Sequence, residues 1–305
     1  FEAFLISNLF ELIPTCLLEE YKSIFDIVSK LELKSKVIIS QYAIWGNPIK
    51  KNWIALNCEK GSKFYQLQHG GSIPKKEHNL NFYPNVSDKL ITWYKPTKKN
   101  HVHLPSTIIF NGNFHNMKNI PSRNKNLTII IGVEKRWQGK LYYGPHSAQI
   151  LDSYDRTLRF HQKIKKNIKK NCVLKLSAID SGWDYKKIFK NIYTTGKIVD
   201  KGKISRVLEN SKINICTYPE TTFSECMLTE IPTILLYTKN HYKLNKDFNN
   251  LVSELLKYKI IFFNEIAAAD HINRVWDNPN AWWLQNGVQS VRKKFLNLCL
   301  KYKSD

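Results

Sequence analysis

Short β-rich apolar runs alternate along this chain with amphipathic stretches of helical period, and that alternation restricts the fold more than any other feature. A helix between two strands carries the chain across a sheet face, so repeated strand-helix units build a parallel sheet covered by helices. In the first half the expected strands lie near Val37 to Ser40, Phe64 to Gln68, Leu90 to Tyr94 and Thr107 to Asn111. In the second half a helix from about Ser147 to Lys170 leads into a strand at Cys172 to Ser177, followed by helices near Asp184 to Asn191 and Lys203 to Asn210. The strand Ile213 to Thr217 precedes a helix from Thr222 to Glu230, and Thr233 to Tyr237 forms the next strand. Helices near Leu244 to Lys257, Glu265 to Trp276 and Val288 to Tyr302 close the chain. Gly and Pro interrupt the pattern between Gly132 and Ser147, which places the expected domain boundary there, with residues 1–140 and 141–305 as two α/β domains.

A chain of 305 residues suits two such domains, and 43% hydrophobic with 12% aromatic residues excludes global disorder. The opening FEAFLISNLFELIP has no basic leader and is unlike a signal peptide; the expectation is that the sequence begins inside an incomplete first domain. No apolar run reaches the ~18 to 20 residues of a membrane-spanning helix. The six cysteines are far apart without a C-x-x-C pair, so a reducing cytosol and no structural metal are expected. A net charge of +22 suits nucleic acid, an anionic membrane surface or acidic substrates. Yet 40 of the 47 basic residues are Lys and Asn is abundant, the bias of an AT-rich genome. The densest run, Lys163 to Lys170, sits on a helix whose Ile164 and Ile168 face inward, leaving either a solvated face or a phospholipid contact. A nucleic-acid-binding protein is the alternative of another class, but no RNP, helix-turn-helix or KH signature occurs and the lysines are dispersed.

Three constellations sit where strands end. Thr217 to Glu225 leaves the strand INIC and opens a helix, and helix N-termini at the carboxyl ends of parallel strands present N–H groups to phosphate. Thr221 and Thr222 would hold the phosphate and Glu225 would accept from ribose hydroxyls; alternatively Thr222-x-x-Glu225 is a capping box that needs no ligand. In Gln66 to Gly71 a strand ends in Gln68 and His69, and Gly70-Gly71 let the backbone turn sharply toward a ligand. His69 would serve as acid, base or phosphate donor, or merely cap a neighbouring carbonyl, with Lys75, Glu77 and His78 downstream. After the strand ending at Ser177, Asp180 would act on a sugar hydroxyl and Trp183, beyond Gly182, would stack on a base or sugar. The alternative is an Asp that caps a helix and a Trp that fills the core, as Trp276, Trp282 and Trp283 are expected to do.

No D-x-D occurs, which disfavours transferases that hold diphosphate through a divalent ion, and P-loop, dinucleotide and α/β-hydrolase motifs are absent. The ordered set of QHGG, D-x-G-W, T-x-x-x-T-T-F-x-E-x-x-x-x-x-x-P-T from Thr217 to Thr233, AAADHINRVWD and WW-x-x-x-x-V-Q resembles transferases of bacterial surface-carbohydrate and lipopolysaccharide gene clusters. The resemblance spans about Leu12 to Tyr302. It implies two Rossmann-like domains facing a cleft (GT-B-like), an acceptor-side N-terminal half and a nucleotide-binding C-terminal half. It also implies a nucleotide-activated sugar donor and a saccharide or lipid-linked acceptor. A looser similarity, through the QHG turn and the T-T-x-x-E helix, reaches capsule-type transferases that use CMP-activated 3-deoxy sugars. The site residues so implied are His69 and Asp180 for catalysis and Gln68, Gly70, Gly71, Gly182, Trp183, Thr221, Thr222 and Glu225 for the substrate, with no metal and no cofactor. The expected location is the cytoplasm, with peripheral contact at the inner face of the cytoplasmic membrane. Within enzymes the alternative is a sugar-nucleotide epimerase or a CDP-alcohol phosphotransferase.

Overall fold

A computed structural model of the chain describes residues 1–31, 35–41, 47–75, 83–110, 113–118, 120, 125–132, 134–137 and 145–302. Two compact units emerge. The first comprises Phe1–His69, Phe82–Thr92 and Lys98–Val102, and the second Gly70–Asn81, Trp93–Thr97 and His103–Asp305.

The first unit holds a four-stranded sheet in the order β1 (Val37–Ser40), β2 (Lys63–Leu67), β3 (Lys89–Thr92), β4 (His101–His103), with β1, β2 and β3 parallel. Helices Tyr21–Ser29 and Pro48–Glu59 pack on one another; the first buries Ile24 and Val28, one turn apart, and the second begins with Asn47 accepting from Lys50 N–H. The core of this unit is small, built on Ile38, Ile54 and Phe64.

The second unit holds a six-stranded sheet in which every pairing is parallel: β5 (Asn126–Ile130), β6 (Cys172–Lys175), β7 (Lys197–Val199), β8 (Ser211–Cys216), β9 (Thr233–Leu236) and β10 (Ile261–Phe262). Their order is β10-β9-β8-β5-β6-β7. The chain starts in the middle at β5, winds outward to β6 and β7, then returns to the other flank of β5 and winds outward again. That is the doubly wound order of a Rossmann sheet, with its reversal between β5 and β8. The central strands are buried on both faces: Leu127, Ile129, Ile213, Ile215 and Cys216 are fully buried, and so are Thr128 and Asn214 between them, which hydrogen-bond to Ser211 and Thr233. Helix Ser147–Lys163 packs on Glu265–Val275, while Thr221–Leu228 and Asn249–Lys257 pack on the closing helix Asn286–Leu300.

Several expectations are corrected. The boundary near residue 140 falls in the wrong place, because β5 is the central strand of the second sheet and the segment around Lys95 also belongs there, its N–H donating to Leu298 O. Thr107 to Phe110 form no strand, and Asn111 lies outside the described residues; Ser106 Oγ accepts from Ile108 N–H and starts the 3-10 turn Thr107–Ile109. The long helix expected to Lys170 stops at Lys163, where Ile164 is extended, and Lys166–Lys169 forms a separate turn. Trp276, Trp282 and Trp283 are buried as expected.

Helix Thr221–Leu228 is anchored at its far end by Arg292, whose Nε donates to Met227 O (2.9 Å) and whose Nη2 donates to Leu228 O (3.2 Å) and Thr229 O (2.9 Å). A cation here also opposes the negative end of the helix dipole. Arg292→Met should therefore lower stability by about 2 to 4 kcal/mol, measured by urea unfolding, because three inward-facing carbonyls lose their donor.

Candidate functional site

The loop from β8 to helix Thr221–Leu228 is tied to β5 at its root. Thr217 Oγ1 donates to Ile130 O (3.1 Å) and accepts from Gly132 N–H (3.1 Å). Residue 132 must be glycine for this approach, since a Cβ there would lie 2.8 Å from the Tyr218 ring. Tyr218 in turn shares a hydrogen bond with Thr222 through the two hydroxyls (2.9 Å). Beyond them lies a cleft of about 310 Å³. Ile130 and Ile131 line it from the end of β5, Lys175 to Ser177 from the end of β6, Ile204 from the helix after β7, and Tyr218 and Thr222 from beyond β8. The cleft thus sits at the carboxyl ends of the strands that flank the reversal of strand order, where open α/β sheets bind their ligands.

A second element reaches the same helix. Gly70 (φ 59°) and Gly71 (φ 105°) both take the left-handed backbone that glycine alone adopts without cost. The helix holds this turn from two sides: Gly71 N–H donates to Thr221 Oγ1 (2.8 Å), and Ser224 Oγ donates to Gly71 O (3.2 Å). Behind the turn, Lys75 forms an ion pair with Glu220, the residue that precedes the helix, and Asn245 N–H donates to Pro74 O (2.7 Å). The expected phosphate ligand Thr221 thus spends its acceptor on the glycine turn, while Thr222 faces the cleft. Of the downstream charges, Lys75 is bound to Glu220, and Glu77 and His78 lie outside the described residues.

The capping box does not form. The helix begins at Thr221, one residue earlier than expected, so Glu225 sits a full turn inside it and does not reach the first N–H groups. Instead Glu225 lies three residues beyond Thr222, on the same side of the helix. Burial lifts its carboxyl from an ordinary 4.5 to about 7, and among the described residues it has no hydrogen-bond or ion-pair partner. A half-buried carboxyl with free acceptors can accept hydrogen bonds from hydroxyl groups.

The third constellation resolves differently. Asp180 accepts from three backbone N–H groups, those of Trp183 (2.7 Å), Asp184 (3.1 Å) and Tyr185 (3.2 Å), which is the capping role rather than the catalytic one. Trp183 is 7% exposed, donates to Glu134 O (2.7 Å) and meets Tyr154 edge to face, so it fills the core and does not offer a stacking face. Gly182 (φ 90°) lets the turn close between them. Gln68 is buried at the end of β2, its N–H donating to Ile91 O, and His69 is exposed as the last residue before the glycine turn. Lys175, Tyr218 and Ser224 complete the picture without any motif of their own. The run Thr128 to Ile131, β-branched and apolar, is the sequence signal that would have revealed β5 and with it the cleft.

A doubly wound parallel sheet with a cleft at its switch point is the architecture of Rossmann-type α/β proteins. The chain belongs to the LIC12162 family of transferases, which it matches over residues 1–303. No curated protein matches it. Among solved structures it is similar to WaaG, a glycosyltransferase involved in lipopolysaccharide biosynthesis, at 10% identity over 93% of this chain and 95% of that one, with a TM-score of 0.45. It is also similar to MurG of Acinetobacter baumannii at 10% identity over 93% and 78%, with a TM-score of 0.48. A UDP-N-acetylglucosamine 2-epimerase aligns at 6% identity over 93% and 77%, with a TM-score of 0.45.

Two outcomes follow from the geometry. Gly70→Ala would place a Cβ 2.7 Å from Thr221 Oγ1 in a left-handed conformation, so it should lower the unfolding temperature by several degrees in a thermal scan. For Glu225 the folded state keeps a proton that the unfolded state has released between pH 4.5 and about 7. Stability therefore falls as pH rises through that window and the loss is complete above it. Glu225→Gln removes the titration, so urea unfolding should show the variant gaining on the parent from pH 5 to pH 8.

Proposed function

We propose that this transferase moves a sugar from a nucleotide-activated donor to a saccharide or lipid-linked acceptor of a bacterial surface polysaccharide or lipopolysaccharide, using two Rossmann-like halves in the GT-B manner. The observation that carries this reading is the cleft at the strand reversal of the second sheet, with Thr222 on its wall and Glu225 one turn behind it. Nucleotide phosphate at the start of helix Thr221–Leu228 and ribose hydroxyls toward Glu225 satisfy the groups that the protein leaves open there. Transfer requires the acceptor hydroxyl to attack the anomeric carbon while the bond from that carbon to the phosphate oxygen breaks and the nucleotide leaves with the electron pair. His69, whose main chain joins directly to the clasped Gly70-Gly71 turn, takes the hydroxyl proton. Thr221 and Ser224 hold that turn, and Asp180 holds the loop beyond β6, as positioning residues.

The sequence holds no D-x-D, and we read the donor as bound by protein groups alone. No helix among the described residues is long and apolar enough to cross a membrane. The lysine-rich surface suits peripheral contact with anionic lipid at the cytoplasmic face, of a kind that salt releases.

Calorimetric titration with CMP, CDP, UDP and GDP should identify one nucleotide that binds, with affinity unchanged by EDTA. His69→Ala should bind it equally well and lose turnover about 100-fold or more. Full turnover in a folded His69→Ala protein would make the glycine turn purely structural, and metal-dependent binding would overturn the cation-free site.

A further inference from the structure

Lys175 ends β6 at the floor of the switch-point cleft, and its side chain is out of place there by ordinary rules. Lysine is almost never buried without a counter-charge. Here it is 9% exposed. Its ammonium makes one hydrogen bond, to Leu176 O at 2.9 Å, and among the described residues it has no ion pair. Two of its three N–H donors are therefore unspent. The rest of the lining is apolar (Ile130, Ile131, Leu176, Ile204) or hydroxylic (Ser177, Tyr218, Thr222). Among the described residues it contributes no carboxylate to meet the ammonium. Asp200, beyond β7, acts on Lys175 only through its field, and burial outweighs it, holding the lysine's pKa below the ordinary value. A cation kept at a cost of desolvation, in a cavity of ligand size, with two free donors and no counter-charge bonded to it among the described residues, is arranged for an anion that arrives from outside.

We infer that Lys175 is the anion-binding residue of this cleft, its free N–H donors receiving the phosphate that links nucleoside to sugar, with the hydrogen-bonded Tyr218–Thr222 hydroxyl pair lining the same cavity. This deepens the nucleotide reading given above and rests on it. The shared chemistry is a phosphate oxyanion in a poorly solvated site, where one ammonium is worth more than in water. As the bond from phosphate to the anomeric carbon breaks, negative charge grows on that same phosphate. Lys175 is then placed to stabilise the leaving group, the work that a divalent ion performs in metal-dependent transferases. Helix Thr221–Leu228 does not do this alone, because Glu220 already lies at its positive end, paired with Lys75.

The test compares the wild-type chain with Lys175→Met, which keeps the length and apolar stem of the side chain and removes only the charge. The probes are the nucleotide that binds best in the titration panel, its nucleoside and inorganic phosphate. In Lys175→Met, nucleotide affinity should fall about 10- to 100-fold, nucleoside binding should be unchanged and competition by inorganic phosphate should vanish, with an unfolding temperature no lower than the parent's. Lys175→Gln, which retains a neutral donor, should fall between the two and serves if the methionine variant misfolds. Equal nucleotide affinity in wild type and folded Lys175→Met overturns the inference while leaving the nucleotide reading standing. Equal loss of nucleotide and nucleoside binding also overturns it, since Lys175 would then only shape the cavity. Phosphate competition without nucleoside binding in the wild type assigns the anion to free phosphate and overturns the donor assignment. Failure of every nucleotide to bind the wild type overturns the proposed function itself.

Discussion

The pairing of β5 with β8 is the constraint on which the rest of the second unit depends. These strands are neighbours in space but are separated in sequence by the whole of β6, β7 and their connections, so the chain must reverse its winding between them. At such a reversal the connections leave in opposite directions and no element covers the gap at the strand ends. The strand ends are tied by hydrogen bonds to the backbone: Thr217 Oγ1 bridges Ile130 O and Gly132 N–H across the two strand ends, and Thr217 N–H also donates to Ile130 O. The cleft, the helix start beside it and the position of Lys175 all follow from this seam.

Much of what surrounds the cleft is devoted to holding shape, and this sorts residues that look alike in sequence. Thr221 and Thr222 are adjacent, yet the first accepts from Gly71 and the second meets Tyr218 on the cleft wall, because successive helical residues point about 100° apart. Asp180 and Glu225 are both carboxylates that follow a strand, Asp180 in the loop before a helix and Glu225 one turn inside one. The first is fully engaged by three backbone N–H groups and the second by none of the described residues. The free energy of a carboxylate is set by what donates to it, so one is a cap and the other is available to a ligand. Arg292 completes the scaffold from behind, fixing the far end of the same helix whose start faces the cleft.

The thiols show a similar division. Cys216 ends β8 and Cys226 sits in the helix that follows, with their sulfurs 3.8 Å apart and both fully buried. Burial raises the Cys226 thiol well above its ordinary value, so it packs as a small apolar group and is not a nucleophile.

By itself the sequence determined the class of the fold and the places where chemistry could sit. Periodicity and chain order are local properties, and they located β1, β6, β8 and β9, most of the helices of the second unit, and the two glycines that need a left-handed turn. They did not reveal β5 as the centre of a sheet, although its apolar run is plain, because the strand order of a parallel sheet is decided by which elements meet across long loops. They could not separate capping from catalysis at Asp180, or core from stacking at Trp183, since both depend on N–H groups and neighbours that the fold supplies. Nor could any motif mark Lys175, one lysine among 40. Only the tertiary structure distinguishes it, by burying its side chain at the cleft of the winding reversal with no ion-pair partner among the described residues.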